Sequence, residues 1–271
     1  MSVLAVCSLK AAPGVTTTAI ALGAVWPAER RVLVAELDPT GGDLASRFAL
    51  PLEPGLLTLA AALRRSRGEQ LVWRHCQRLP GGLAVLASPP ASGQASSALA
   101  APGVLEALVG VGGDVVADCG RLYPGSPARQ VVRCAALTVL VARPAVAEVE
   151  HLAADLPAVA GDCPRLGLVL VGEGDYRAGE VAAALGVELL QVLPRDPRGA
   201  AWLAGTPVKG WALRRAALVR AAWPLARTLT SRLAGADDQA ASQAPAPQGE
   251  QRPVPPPPPA CHPTASPEPH P

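Results

Sequence analysis

A strand, a turn of small residues and a threonine-led helix fill the first 24 residues, and this order constrains the fold most. Residues 2–9 are mostly apolar, residues 10–14 read Lys-Ala-Ala-Pro-Gly, and three threonines open an apolar segment at helical spacing. Threonine is a favourable helix cap, so the pattern predicts strand, loop and helix. Such a loop directs backbone N–H groups and the positive helix end at one spot, which favours binding of a phosphate group.

The loop departs from the standard phosphate-binding sequence Gly-x-x-x-x-Gly-Lys-Ser/Thr. Aligned on Gly14, it has Val15 where that motif has the lysine that contacts the β- and γ-phosphates. An earlier lysine, Lys10, lies inside the loop, and Lys209 is the only other lysine in the chain. Taken alone, the loop fits an ordinary strand–turn–helix, and the later motifs favour the phosphate-binding interpretation.

Residues 10–17, Lys-Ala-Ala-Pro-Gly-Val-Thr-Thr, resemble the deviant Walker A motif of the ParA/MinD P-loop ATPases, Lys-Gly-Gly-x-Gly-Lys-Thr-Thr/Ser. Lys10 matches the signature lysine, which in that family reaches the partner's phosphates across a nucleotide-sandwich dimer. Thr16 matches the magnesium ligand. Within the family, the pattern is most similar to the CpaE/TadZ-like pilus-positioning proteins and the MinD-like proteins of high-G+C bacteria. The resemblance implies a nucleotide-binding loop made of Ala11, Ala12, Pro13, Gly14, Val15, Thr16 and Thr17.

Three substitutions make this loop a degenerate version of the family motif. Ala11 and Ala12 each add a Cβ where the backbone must approach phosphate. Val15 removes the charge of the catalytic lysine. We therefore expect ATP and Mg²⁺ to be bound weakly or not at all, and hydrolysis to be weak or absent.

A pair of carboxylates follows the second predicted strand, in the stretch from Arg31 to Leu44. Glu36 and Asp38 are two residues apart, so on a strand they face the same way. The stretch resembles the family's switch segment, Val-Leu-Val-x-Asp-x-Asp-Pro. The resemblance makes Asp38 a catalytic residue that positions the attacking water and places Glu36 near the magnesium shell. The alternative is a simple acidic turn at the end of a strand.

Two later strand ends carry further candidate residues. The strand over residues 114–120 contains Asp118, which resembles the Walker B aspartate that holds magnesium through water. The segment Pro194-Arg195-Asp196 follows the last predicted strand, where a Pro-x-Asp in the family borders the adenine. The resemblance thus implies that Pro194 and Asp196 contact the nucleotide base. A plain strand-to-helix turn capped by Asp196 explains the same residues about as well.

Near-continuous apolar runs predict buried strands over 137–144 and 166–172, since such runs are typical of parallel sheets, and a further strand is expected over 187–193. Helices are expected over 55–67, 69–78, 145–160 and 211–233, the last interrupted by Pro224. Residues 91–103 are small and polar and are expected to be a mobile loop. The sequence predicts an α/β domain over residues 1–235, with a doubly wound, mostly parallel sheet of about seven strands and helices on both faces. Residues 236–271 are predicted to be a disordered, proline-rich tail.

Composition excludes several classes of protein. A net charge of +2 predicts no strong field for nucleic acid or anionic membrane, although arginines interleave the helix at 211–233. DNA or membrane contact is thus possible but not supported by charge. No export signal or membrane-spanning run is evident, so a cytoplasmic location is expected. The six cysteines lack Cys-x-x-Cys spacing and are expected to be buried thiols, not disulfides or a zinc site.

Two functions remain open. One is an ATP-hydrolysing dimeric switch of the ParA/MinD type that positions a chromosome, division site or pilus machinery. The other is a positioning protein on the same fold that binds ATP weakly and hydrolyses little or none. Because position 15 holds a valine and not a lysine, the positioning protein with weak binding and little hydrolysis is favoured. Either function implies a possible homodimer and a protein partner, such as a secretion or pilus ATPase or a partition protein.

Overall fold

The computed structural model describes residues 2–10 and 13–243, with side chains described as far as residue 235. Its strands are β1 (Val3–Ser8), β2 (Val32–Glu36), β3 (Gln77–Arg78), β4 (Ala84–Leu86), β5 (Asp114–Arg121), β6 (Leu137–Ala142), β7 (Leu166–Val171) and β8 (Glu188–Leu193). The helices are α1 (Val15–Ala24), α2 (Leu44–Arg47), α3 (Leu56–Ala62), α4 (Glu69–His75), α5 (Ser92–Leu99), α6 (Val104–Val109), α7 (Arg129–Cys134), α8 (Val146–Ala160), α9 (Ala178–Leu185), α10 (Pro197–Leu203), α11 (Gly210–Arg215) and α12 (Ala217–Gln243).

These strands form one sheet in the order β3-β4-β2-β5-β1-β6-β7-β8. Every pairing is parallel except that of β3 with β4. The predicted mostly parallel α/β sheet is confirmed, with eight strands where about seven were expected. Parallel strands end at one edge, so the loops after β1, β2, β5 and β8 meet at the carboxyl edge of the sheet, where ligands bind in such folds.

Each face of the sheet has its own apolar cluster. Helices α1, α10 and α12 contribute to one cluster, and α3 to α9 contribute to the other. All six residues of β1 and of β6 are buried, as expected for strands covered on both faces. An apolar stripe at helical spacing is expected along residues 211–233, and most of it is buried: Leu218, Ala222, Leu225, Leu229 and Leu233 are at most 5% exposed. Its first member, Trp211, lies on the separate helix α11 and is 55% exposed.

Three local expectations were wrong. The predicted loop at 91–103 contains α5, which buries Ala95, Ala98 and Leu99. The predicted helix over 69–78 ends at His75, and the next residues pair with β4 as the extra strand β3. Pro224 lies inside α12 and does not interrupt it, because the apolar stripe on either side of it is buried; the break falls instead at Ala216.

Helix α12 continues to Gln243, past the domain boundary predicted at residue 235. Residues 244–271 of the proline-rich tail, which was predicted to begin at residue 236, lie outside the described residues. No described helix is both long enough and apolar enough to cross a bilayer.

Candidate functional site

The loop between β1 and α1 leads directly into an uncapped helix. Gly14 has a φ of 103°, a left-handed conformation that a residue with a Cβ rarely adopts. No side chain among the described residues caps α1, so the N–H groups of its first turn remain available to a ligand. Lys10 and Gly14 are half-buried and Pro13 is buried. The predicted loop residues Ala11 and Ala12 lie outside the described residues.

The first turn of α1 separates its apolar and polar positions. Val15 is 6% exposed and belongs to the apolar cluster beneath the helix. Thr16 and Thr17 are half-buried. The position that carries lysine in the standard phosphate loop therefore holds a packed, uncharged side chain.

Asp118, at the carboxyl end of β5, is a buried carboxylate with an unpaired oxygen. It is 1% exposed; its Oδ1 accepts the Gly120 N–H at 3.2 Å, and its Oδ2 has no hydrogen-bond partner among the described residues. Burial raises the pKa of Asp118 to about 7; the nearby Thr16 hydroxyl opposes this shift and the charge of Glu36 adds to it. An unpaired buried oxygen is costly, so a ligand here would be favoured.

Mg²⁺ fits this position chemically. It prefers oxygen ligands, and proteins commonly hold it with one or two carboxylates while phosphates and waters complete the shell. Asp118 and Thr16 provide such oxygens beside the uncapped helix end. Within residues 2–10 and 13–243, no group of three His, Cys, Asp or Glu side chains could hold a metal on its own. A magnesium ion here would thus depend on a phosphate ligand.

Asp38 lies beside Asp118. Its Oδ1 accepts hydrogen bonds from the Thr40 N–H at 2.8 Å and the Thr40 hydroxyl at 2.7 Å. A Cβ added to Gly120 would overlap the Asp38 carboxylate, so this side chain rests against the backbone two residues after Asp118. The structure therefore brings together three of the predicted site residues, Thr16, Asp38 and Asp118.

Glu36 is close to this group but engaged elsewhere. It is 2% exposed; its Oε1 accepts the N–H groups of Asp43 at 2.6 Å and Leu44 at 3.0 Å, and its Oε2 accepts that of Ser88 at 2.9 Å. Burial raises the pKa of Glu36, and these three hydrogen bonds oppose the shift. Through these hydrogen bonds, Glu36 connects the turn after Asp38 to the segment after β4. Its role near magnesium stays a prediction.

Pro194 and Asp196 lie at the same sheet edge, after β8, which is three strands from β1. Asp196 accepts the Gly199 N–H at 2.8 Å, capping α10, and the Leu218 N–H at 3.2 Å, near the start of α12. Burial would raise the pKa of Asp196, but hydrogen bonds from backbone N–H groups outweigh it and hold the pKa below its usual value. The capping alternative is confirmed as a contact, and the base-binding role stays a prediction.

A groove of about 730 Å³ opens beside Asp196. Trp211 is 55% exposed, and the Arg215 guanidinium lies 5.3 Å from its ring centre. Sequence reasoning did not single out this groove because its residues come from three separate segments. Its polar and aromatic lining consists of Arg195, Asp196, Arg198, Trp202, Trp211 and Arg215.

Sequence reasoning also missed Arg121, the last residue of β5. Its Nε donates to the carbonyl of Leu9, at the start of the phosphate loop, at 3.0 Å. The strand motif predicted around Asp118 covered residues 114–120 and did not include Arg121. Arginines are common in this chain, so its residue type did not mark Arg121 as a site residue. Only the pairing of β1 with β5 places Arg121 at the loop.

Solved structures with this fold include known ATPases. The cell division ATPase MinD of Pyrococcus furiosus is 19% identical, with a TM-score of 0.67 over 85% of this chain and 98% of that chain. A ParA family ATPase from Chlorobium tepidum is 15% identical, with a TM-score of 0.65 over 83% and 98%. The septum site-determining protein MinD of Pyrococcus horikoshii, solved with Mg-ADP, is 19% identical, with a TM-score of 0.59 over 86% and 97%.

No protein-family model matches the chain, and no curated protein matches it either. At these identities the structural likeness establishes the fold. The chain therefore has the fold of the MinD and ParA ATPases, as the sequence motifs indicated.

Proposed function

We propose that this chain is a ParA/MinD/CpaE-like positioning protein that binds ATP with Mg²⁺ weakly and hydrolyses it little or not at all. The single observation that carries the proposal is the buried, unpaired Oδ2 of Asp118 beside Thr16. An apolar or neutral residue would serve a purely structural role better, since an unpaired buried carboxylate destabilises the fold. Its retention at the carboxyl edge of the sheet supports a metal–nucleotide site.

Each remaining residue has a defined role in this proposal. The uncapped first turn of α1 would bind the phosphates through its N–H groups, and Thr16 and Asp118 would hold the magnesium ion. Bound Mg²⁺ supplies positive charge that offsets the charge of the phosphates. Asp38 would orient a water molecule through its Oδ2, because both hydrogen bonds from Thr40 go to its Oδ1. The base would lie towards Pro194 and Asp196.

Val15 is the reason to expect weak binding and little turnover. It is packed in the apolar cluster and provides no cation for the phosphates. Loss of one charge-stabilising contact in an active site typically slows catalysis by about 10²- to 10³-fold. Asp38 and Asp118 keep their carboxylates, so the proposed weakness lies on the phosphate side, where Val15 removes a charge and Ala11 and Ala12 each add a Cβ.

The alternative is an active dimeric ATPase switch. Lys10 favours it, because a half-buried loop lysine from a partner subunit would supply the charge that Val15 lacks. Dimerisation would then depend on ATP and on Lys10. A dimer indifferent to both would associate through another surface and contradict this alternative.

The cargo is proposed from the resemblance alone. A pilus or secretion ATPase, a partition protein or a division-site component would be the protein partner, in the cytoplasm. DNA and membrane have the least support as partners, because the net charge is only +2.

Calorimetric titration of ATP with and without Mg²⁺ tests the proposal. We expect weak, magnesium-dependent binding that is lost in Asp118→Ala. Asp162→Ala is the control, since Asp162 is also an aspartate of low exposure but follows α8 and is ion-paired with Arg129 and Arg133 of α7. Submicromolar binding, or binding that Asp118→Ala leaves unchanged, would contradict the proposal.

A further inference from the structure

We propose that Arg121 supplies, from the neighbouring strand, the positive charge at the nucleotide phosphates that Val15 does not provide. The inference rests on the proposed function, because it concerns the same phosphate site. It gives Arg121 the role of a phosphate-binding residue for the triphosphate chain.

Two contacts fix Arg121 at the mouth of the loop. In the parallel pairing of β1 with β5, Arg121 is opposite Ser8, and the N–H of the next residue, Leu122, donates to the Ser8 carbonyl at 2.8 Å. The side chain adds a second contact, from its Nε to the Leu9 carbonyl at 3.0 Å. Ser8 and Leu9 immediately precede Lys10, so the first contact places the backbone beside Arg121, and the second places its guanidinium, where the phosphate loop begins.

Most of the guanidinium remains available. An arginine has five N–H donors in a planar fork, and the bond to Leu9 uses one of them. No other acceptor for these donors is found among the described residues, and the side chain is exposed. A planar fork with free donors is suited to binding phosphate oxygens in pairs.

The charge of the site favours such a group. Asp38 and Asp118 are both carboxylates at this edge, and a triphosphate would add further negative charge. Of the other arginines that follow strands at this edge, Arg195 lies after β8, three strands from β1, and lines the groove beside Asp196. Arg143, after β6, donates to Glu148 through both its backbone N–H and its Nε. Arg121 is the arginine hydrogen-bonded to the described part of the loop, and with Lys10 it would offset the charge of the phosphates.

A purely structural role, in which Arg121 only braces Leu9, makes different predictions. Arg121→Gln keeps an N–H donor for the Leu9 carbonyl and removes the charge. Arg121→Lys keeps the charge and removes the planar fork. Arg78→Gln is the matched control, because Arg78 is also exposed and also donates to a backbone carbonyl, that of Gly82 at 2.6 Å, but on β3.

The test is the dissociation constant of ATP, AMP and inorganic tripolyphosphate, each with Mg²⁺, for wild type and the three variants. We expect Arg121→Gln to weaken ATP and tripolyphosphate binding by about 10- to 100-fold, as for a lost charged hydrogen bond, and AMP binding much less. Arg121→Lys should retain part of the affinity, and Arg78→Gln should match wild type. Melting temperatures confirm that each variant is folded.

Three results would overturn the inference, in distinguishable ways. Unchanged ATP affinity in Arg121→Gln would remove Arg121 from the phosphate site and leave the proposed function standing. An equal loss for ATP and AMP would show that Arg121 only braces the loop. Absence of ATP and tripolyphosphate binding by wild type would overturn the proposed function, and the inference with it.

Discussion

The carboxylate of Asp38 rests directly on the backbone of Gly120, so that a Cβ at this glycine would overlap the Asp38 Oδ2. Gly120 has a φ of 58°, in the left-handed region. The backbone N–H of Gly120 also donates to Oδ1 of Asp118. One glycine thus links two carboxylates whose strands are separated by nearly eighty residues of sequence.

Gly120→Ala should therefore destabilise the fold and displace Asp38. The left-handed conformation alone costs a residue with a Cβ about 1–2 kcal/mol, and the overlap adds to this. Gly125→Ala is the control, because Gly125 has a φ of 81° but no atom near its Cβ position. Urea denaturation should show a larger loss for Gly120→Ala. Equal losses in the two variants would mean that the contact with Asp38 contributes nothing to the free energy of unfolding.

Glu36 should prove important for stability. Its replacement by alanine leaves the N–H groups of Asp43, Leu44 and Ser88 without an acceptor, at about 1–3 kcal/mol for each group that stays buried. We expect Glu36→Ala to lower the free energy of unfolding by at least about 2 kcal/mol. The control is Glu188→Ala, which removes an exposed ion pair with Arg232 that typically contributes less than about 1 kcal/mol. A loss for Glu36→Ala no larger than that of the control would refute this structural role.

Asp118→Asn should stabilise the protein when magnesium and nucleotide are absent. Burial raises the folded pKa of Asp118 to about 7, from about 3.9 in the unfolded chain, so between these values the folded state binds more protons. Asp118 therefore lowers the free energy of unfolding as pH rises from about 4 to 7. The gain from Asp118→Asn should grow over this window, at up to about 1.4 kcal/mol for each pKa unit.

Asp162→Asn should show the opposite trend. Hydrogen bonds from Arg129 and Arg133 hold the pKa of Asp162 below its usual value. Its contribution to stability is present above the unfolded pKa and is lost as pH falls through the folded pKa. Denaturation curves of both variants from pH 3 to 8 provide the comparison. An Asp118→Asn variant that is less stable than wild type at pH 7.5 would contradict the burial of an unpaired charge.

The sequence was sufficient to predict those parts of the fold and the site that depend on local sequence patterns. Continuous apolar runs predicted β1, β5, β6 and β7, and parallel pairing then placed Thr16, Asp38 and Asp118 at one edge. Helix α5 was missed because its serines and alanines show no apolar periodicity, yet its few apolar residues are buried. The contacts of Glu36 with Ser88, and of Arg121 with Leu9, join residues 52 and 112 positions apart, so only the fold reveals them.

Val15→Lys should not fully restore hydrolysis. The lysine would have to leave the apolar cluster that Val15 occupies, and Ala11 and Ala12 would remain in the loop. We expect a modest gain in ATP affinity and a loss of stability of about 1–2 kcal/mol from the buried side chain. The triple variant with both alanines changed to glycine should bind ATP more tightly than Val15→Lys alone. Full turnover in Val15→Lys by itself would show that the alanines are compatible with catalysis.

The most direct test is a phosphate-release assay on wild type and Asp38→Ala at an ATP concentration at which calorimetry shows the site to be filled. A site that binds ATP without turnover should release phosphate at the same background rate in both proteins. Robust release by wild type that disappears in Asp38→Ala would show an active ATPase and contradict the proposed function.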